Sequence, residues 1–312
     1  MPAALLAMSH SPLLHHNPPG EEVQAELDQK FAEIKEFVTS YDPDQIVVFW
    51  PDHFNGFFYE LMPPFCIGFE AFGTGDYNSF DGDLNVDTKE AEKLAQFVLN
   101  EGVDIAISRR MEVDHGAVQP LEIIYDNDPN VKPLIPIYTN GVARPFAPVS
   151  RVRAMGEAVG KYFRNSDKKV LFIASGGLSH DPPLPRWDEA TPEQRAMLLN
   201  REARTPETRA LRESRVIETG KKFARGEADI MDIAPEWDLQ FMEDCKSGNP
   251  SRFDTYNFAD MEAVAGHSSH EVRTWIAAFS ALHAANPDFN IGIDYYRPIP
   301  EFIAGFGILT AQ

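Results

Sequence analysis

Cysteine is nearly absent from this chain: Cys66 and Cys245 are the only two. They make no disulfide framework, fit a reducing cytosol, and are too few and too far from the histidines for a Cys2His2 zinc site. Positive charge is scarce as well. Lys and Arg number 28 against 48 Asp and Glu, a net charge of −20, and such a field repels nucleic acid and anionic membrane surfaces. No apolar run approaches the roughly 20 residues of a membrane-spanning helix. The opening MPAALLAMSHSP has no basic stretch, and its apolar run is too short for a signal peptide. The expectation is a soluble, cytoplasmic protein with no nucleic-acid or membrane partner. Also missing are a GxGxxG opening a helix after a strand, a Walker A loop, a GxSxG elbow and an HExxH pair, so nucleotide, serine-hydrolase and common zinc-hydrolase readings lack support. No internal repeat or low-complexity tract is present.

What the chain does have is core material and histidines in telling places. Hydrophobic residues make up 43% of 312 positions and include 22 Phe, enough for one large α/β domain or two smaller ones at roughly 150 residues each. The organising stretch is 46–58, IVVFWPDHFNGFF. Residues 46–50 read as a short buried strand bounded by Asp42-Pro43 and Pro51-Asp52, and His53 lies just past its end. Two other stretches repeat the design. Residues 3–8 are apolar and run into His10, and residues 170–174 run through Ser175-Gly176-Gly177 to His180. Three of the nine histidines thus follow strand-like runs. In an open α/β sheet those strand ends share a crevice where ligands bind.

In chain order, Leu27, Phe31, Ile34 and Val38 mark an amphipathic helix over 21–38. It leads into the 46–50 strand, a β-α-β start that favours a parallel pair. Residues 54–75 are dense in Phe, Tyr, Pro and Gly and read as a long packed loop with some extended structure, or as an aromatic wall for a flat substrate. A helix is expected over 89–99, then a strand over 103–108 followed by Asp114-His115-Gly116. A further strand over 133–138 carries prolines that argue for an edge or irregular position. A helix over 152–163 precedes the 170–174 strand. Residues 181–209 are proline-rich and charged, a surface insertion with some helix, and 215–225 and 237–245 look helical. Within 266–283, Val272, Trp275, Ile276, Phe279 and Leu282 share a helical face. The fold class is α/β, one domain over 1–312 with a central, mostly parallel or mixed sheet flanked by helices and an insertion at about 181–225.

Two histidines and one carboxylate on one side of a metal suit non-haem Fe(II), leaving positions open for substrate and dioxygen. Glu271 is open to two readings. It stands three residues after Ser268, as a capping box requires, and it is equally a metal ligand in waiting. A zinc hydrolase with two His and one Glu stays possible by ligand type.

The motifs SHSP (9–12), PDHFNGFFYELMPPFCIG (51–68), VDHG (113–116), VLFIASGGLSH (170–180), HEVRTWIAAF (270–279) and YYRPIPEFIAGFG (295–307) resemble the class III extradiol dioxygenases of the LigB/MhpB type, along nearly the whole chain. The resemblance implies Fe(2+) held by His10, His53 and Glu271, although His267 and His270 are close neighbours of the carboxylate. It implies His115 and His180 as the acid–base pair, the first donating and the second accepting a proton. His15, His16 and His283 fall outside the motifs and are expected at the surface. The implied reaction is extradiol cleavage, by O2, of a catechol with a carboxylated side chain, giving a 2-hydroxy-6-oxo-dienedioate. Another substituted catechol or a metal-dependent hydrolase is the alternative. A homo-oligomer is implied. An anionic side chain meeting a strongly acidic protein needs a local cation, and Arg297 is the candidate, against a surface or subunit-interface role for it.

Overall fold

Complete burial of the apolar runs explains how they pair. In the computed structural model, which describes residues 3–312, strand β1 (Ala4–Met8) leads to helix α1 (Glu21–Tyr41) and strand β2 (Gln45–Trp50). Short strands β3 (Phe65–Gly68), β4 (Ala71–Thr74) and β5 (Asp81–Asp83) precede α2 (Thr88–Asn100). Then come β6 (Ala106–Ser108), β7 (Met111–Val113), α3 (His115–Ile124), β8 (Leu134–Thr139), α4 (Val149–Arg164) and β9 (Val170–Ser175). Helices α5 (Pro192–Leu199), α6 (Pro206–Ala224), α7 (Pro235–Lys246), α8 (Phe258–Ala265) and α9 (Arg273–Ala285) follow, and β10 (Ile291–Ile299) and β11 (Ala304–Ala311) close the chain. No helix among the described residues is long and apolar enough to cross a membrane.

Eight strands form one mixed sheet in the order β10-β11-β1-β9-β2-β8-β3-β6. At its centre β1, β9, β2 and β8 are parallel neighbours, and every residue in them is buried, as strands covered on both faces require. Strands β11 and β3 join antiparallel on either side. A small second sheet has the order β5-β4-β7. Side chains alternate between two apolar cores: Leu5, Ala7, Val47 and Phe49 enter one, and Leu6, Met8, Val48 and Trp50 the other. Helices α4 and α9 cover the first. A Cβ at Gly156 or Gly160 of α4 would lie 2.1 Å from the carbonyl oxygen of Ala277 or Ala281, so only glycine permits this backbone approach. Helices α1 and α3 cover the second core through Leu27, Ile34, Val38, Val118 and Leu121.

Three local expectations change. The prolines of β8 do not put it at an edge: it lies between β2 and β3. The antiparallel ladder with β3 stops at Ile137, one residue before Pro136, and Gly68 opposite leaves room for the proline ring, since a Cβ there would sit 2.9 Å from Pro136 Cγ. Within 103–108 only β6 is strand, because only those residues find a partner, in β3. The extended structure expected within 54–75 is β3 and β4. Residues His267–Val272 form a 3-10 turn, and the α-helix starts at Arg273. Within 181–225, α5 carries a capping box between Thr191 and Gln194, whereas α6 buries only Val216 and Gly220.

Candidate active site

Three parallel strands deliver side chains to one place. Past the end of β1 lies His10, past β2 lies His53, and past β9 lie Gly176, Gly177 and His180. His115 opens α3, and Glu271 sits in the turn before α9. All five side chains line one cavity of about 50 Å³.

Each imidazole is oriented by a partner at Nδ1. His10 pairs with Ser175 Oγ at 2.9 Å, His53 donates to Asp114 Oδ2 at 2.8 Å, and His115 donates to Asp76 Oδ2 at 2.5 Å. His180 donates to the carbonyl of Leu178 at 2.8 Å. Such outer partners set the tautomer and aim the other nitrogen, as around metal ligands. Three of those other nitrogens meet Glu271. Its Oε1 lies 3.1 Å from His53 Nε2 and 3.0 Å from His180 Nε2, and its Oε2 lies 3.5 Å from His10 Nε2. His115 Nε2 is buried without a partner among the described residues. His10, His53 and His115 each offer a ligand atom within 4.8 Å of the others, a group able to hold a metal ion. Gly177 completes the cradle by donating its N–H to Glu271 Oε2 at 2.9 Å. A Cβ on it would fall 2.6 Å from the His180 ring, so this position needs glycine.

The backbone here is constrained. Asp114 caps α3 by accepting Gly116 N–H, while its other oxygen takes both N–H groups of His53. Asp76 likewise accepts the backbone N–H of His115. Phe54, Tyr77 and Ile303 have φ of 55°, 50° and 58°, a left-handed conformation that side-chain-bearing residues rarely adopt and that gathers at functional sites.

A family model described as the catalytic LigB subunit of aromatic ring-opening dioxygenase matches residues 4–307. The chain belongs to this LigB family. Proteins named 2,3-dihydroxyphenylpropionate/2,3-dihydroxicinnamic acid 1,2-dioxygenase from Rhodococcus globerulus and Rhodococcus rhodochrous are 60% and 56% identical to it, over 100% of this chain and 98% of each of theirs. One of the same name from Mycolicibacterium smegmatis is 45% identical, over 100% of this chain and 99% of its own. A crystal structure of an uncharacterized Escherichia coli K12 protein superposes with a TM-score of 0.51 at 13% identity, over 98% of both chains, a likeness of fold alone. This LigB chain is a ring-cleaving dioxygenase.

Burial and charge then set the protonation states at the LigB site. Burial takes the His10 pKa down to about 3 despite Glu271 beside it, so this imidazole is neutral with a lone pair to offer. Burial also opposes a charge on His53 and His180, but nearby carboxylates outweigh it. Asp114 and Glu271 raise His53 well above its ordinary value, and Glu271 raises His180. In return His180 and His53 hold Glu271 well below the usual carboxylate range, although burial alone would raise it. Glu271 is therefore an anion facing several imidazoles, which is what a cation site offers.

The structure leaves some sequence candidates outside. Glu271 does not act as a helix cap: α9 has no side-chain cap, and the carboxylate is spent on the histidines and Gly177. His267 pairs with Asp181 at 2.9 Å, and His270 pairs with Glu262 at 3.1 Å between Phe146 and Phe258; neither lines the histidine cavity. His15 is exposed, while His16 and His283 are half-buried. Arg297 is not brought to the site. It lies on β10 and pairs with Glu26 of α1 at 3.2 Å, because its strand position turns it to that helix. The site residues that sequence reasoning missed are Asp76, Tyr77, Ser175 and Arg212, together with the role of Asp114. Asp114 adjoins His115 in VDHG, a usable signal; Asp76 has none.

Proposed function

We propose that this dioxygenase uses Fe(II) and O2 to open a catechol bearing a carboxylated side chain, 3-(2,3-dihydroxyphenyl)propionate or 2,3-dihydroxycinnamate, beside its diol. Both oxygen atoms enter the product, a 2-hydroxy-6-oxo-dienedioate. The observation that carries the reading is the reach of one carboxylate, Glu271, to both His10 and His53 at the ends of parallel strands. Those three would hold the iron, two imidazoles and a carboxylate of the kind that suits Fe(II). Iron held there supplies Lewis-acid polarisation of the diol and one-electron chemistry with dioxygen. The donor chemistry fits: His10 is neutral, Glu271 is anionic, and His53, held at Nδ1 by Asp114, would give up its Nε2 proton on binding a metal.

His115 takes another part. Its ring stacks on His53 with centroids 4.7 Å apart and planes 23° apart. His10 stands at 87° to His53, and Glu271 reaches the Nε2 of both but not that of His115. His115 and His180 flank the ligands and serve proton transfer, His180 accepting a diol proton and His115 delivering one to the oxygen atom released when the O–O bond breaks, the atom that then completes the product. Asp76 and the Leu178 carbonyl keep their Nε2 atoms on the cavity side. Most of the remaining wall is apolar, with Leu13, Leu184, Val216, Phe302 and Ile303 suited to a ring and alkyl chain, and Arg212 stands among them. At about 50 Å³ the cavity is far below the roughly 300–1,000 Å³ of small-molecule sites, so a catechol enters only as the wall opens. The names of the relatives support the side chain.

The test is anaerobic loading with Fe(II), addition of 3-(2,3-dihydroxyphenyl)propionate, then O2 with spectra recorded. A yellow ring-opened product is expected. Iron-loaded protein that leaves the catechol intact would overturn the reading. The same reading places the enzyme in the cytoplasm as a homo-oligomer, which sedimentation of the purified chain checks.

A further inference from the structure

Resting on that reading of the substrate, we infer that Arg212 of α6, in place of Arg297, recognises the carboxylate of the catechol side chain and so determines specificity. Among the residues that line the histidine cavity, Arg212 is the only Lys or Arg. In a chain of net charge −20, an anionic substrate needs such a cation in the wall.

The guanidinium is held in a defined direction and left with unused capacity. Nη1 donates to the backbone oxygen of His53 at 2.7 Å, and Nη2 donates to Asn55 Oδ1 at 2.9 Å. Both bonds tie it to the loop that carries His53. Nε is buried and has no partner among the described residues. Among the described residues no carboxylate pairs with it directly, whereas Arg201 pairs with Glu112 and Arg225 with Glu227. A guanidinium carries five N–H donors in a planar fork that matches a carboxylate, and two of these are used here.

A second arginine stands behind the first. Arg204 reaches the same two acceptors, Asn55 Oδ1 at 3.2 Å and the His53 oxygen at 3.5 Å, and its Nε is also buried and unpartnered among the described residues. Burial and the charge of Arg212 lower its pKa to about 9. The buried acids nearby are engaged elsewhere: Asp76 with His115, Asp114 with His53, and Asp52 with the backbone N–H groups of residues 55–57. Two like charges sharing two neutral acceptors form a cationic corner that an incoming anion relieves. The apolar wall of Leu13, Val216 and Phe302 covers the alkyl part. Propionate and cinnamate side chains place their carboxylate the same number of bonds from the ring, so one fixed cation serves both.

The experiment compares two substrates in wild type and Arg212→Met: 3-(2,3-dihydroxyphenyl)propionate and 3-propylcatechol, of similar length without the charge. The ratio of their kcat/KM values should fall roughly 10- to 100-fold in the variant, the loss expected of a charge-assisted pair. A second readout is calorimetric binding of 3-phenylpropanoate against 3-phenylpropanol, neither of which can be turned over; the preference for the anion should fall in parallel. An unchanged ratio, with both substrates losing equally, would overturn the inference and make Arg212 a support for the His53 loop. Should Arg212→Met not fold, Arg212→Lys reads the same ratio: a smaller fall is expected, and no fall overturns the inference. Wild-type protein that cleaves neither catechol would overturn the proposed function instead, so the two failures are distinct.

Discussion

Helices α9 and α6 both feed the site, and they are built in opposite ways. From Arg273 to Leu282 every residue of α9 is buried, and the helix is locked against α4 by backbone contact at Gly156 and Gly160. The turn that opens it holds Glu271 at the centre of the histidines. Helix α6 buries only Val216 and Gly220, yet it brings Arg212 to the same cavity. The candidate reaction centre is thus placed by the packed core, and the arginine proposed to set selectivity by a covering segment with little core of its own. Loosely packed covering elements open and vary at small cost, whereas a ligand set tolerates little displacement.

The harshest way to break the contrast is to remove a ligand on the core side. His10→Ala, His53→Ala and Glu271→Ala should each abolish iron retention, since two ligands hold Fe(II) poorly against water. Metal analysis after dialysis checks this, and stoichiometric iron in any variant removes that residue from the set. Next come His115→Gln and His180→Gln, which should retain iron yet lose about 10²–10⁴ in kcat, the usual worth of positioned proton transfer. Near-normal turnover in both would move the proton work to other groups.

Stability should divide along the same line. Gly156→Val forces a Cβ to within 2.1 Å of the Ala277 oxygen, and overpacking of this kind costs about 1–3 kcal/mol or more. Leu211→Ser on α6, at a residue 72% exposed, should stay within about 0.5 kcal/mol of wild type. Urea titration of both variants compares them, and equal destabilisation would mean that α6 is anchored as firmly as α9. The smallest effect belongs to Arg297→Met. Its ion pairs with Glu26 and Glu22 are partly exposed, so about 0–1 kcal/mol is at stake, with no change in preference for the carboxylated catechol. A selective rise in KM would return Arg297 to the substrate.

Much of the site was legible before the fold. The strands ending before His10, His53 and His180 are short apolar runs closed by Pro, Gly or Ser, and in an α/β chain such runs become buried parallel strands whose ends share a crevice. His115 announced itself less directly, through an acid before it and a glycine after it. Elsewhere local rules lost to tertiary context. Pro136 looked like an edge marker, but an interior strand tolerates it because the ladder with β3 stops at Ile137 and Gly68 opposite leaves room for the ring.

Sequence by itself determined the alternation of strand and helix, the two-sided burial of the central strands, and which histidines leave their ends, because all of these follow from apolar periodicity and local punctuation. Only the tertiary structure decided what each charged group faces. Ser268 and Glu271 have the spacing of a capping box, yet Glu271 meets His53, 218 residues away, and leaves the cap unmade. One arginine lies in a recognisable motif and faces α1; another lies in a charged, featureless insertion and faces the cavity. Direction around a strand or helix axis is settled by long-range pairing and packing, and a local pattern carries no record of the partner.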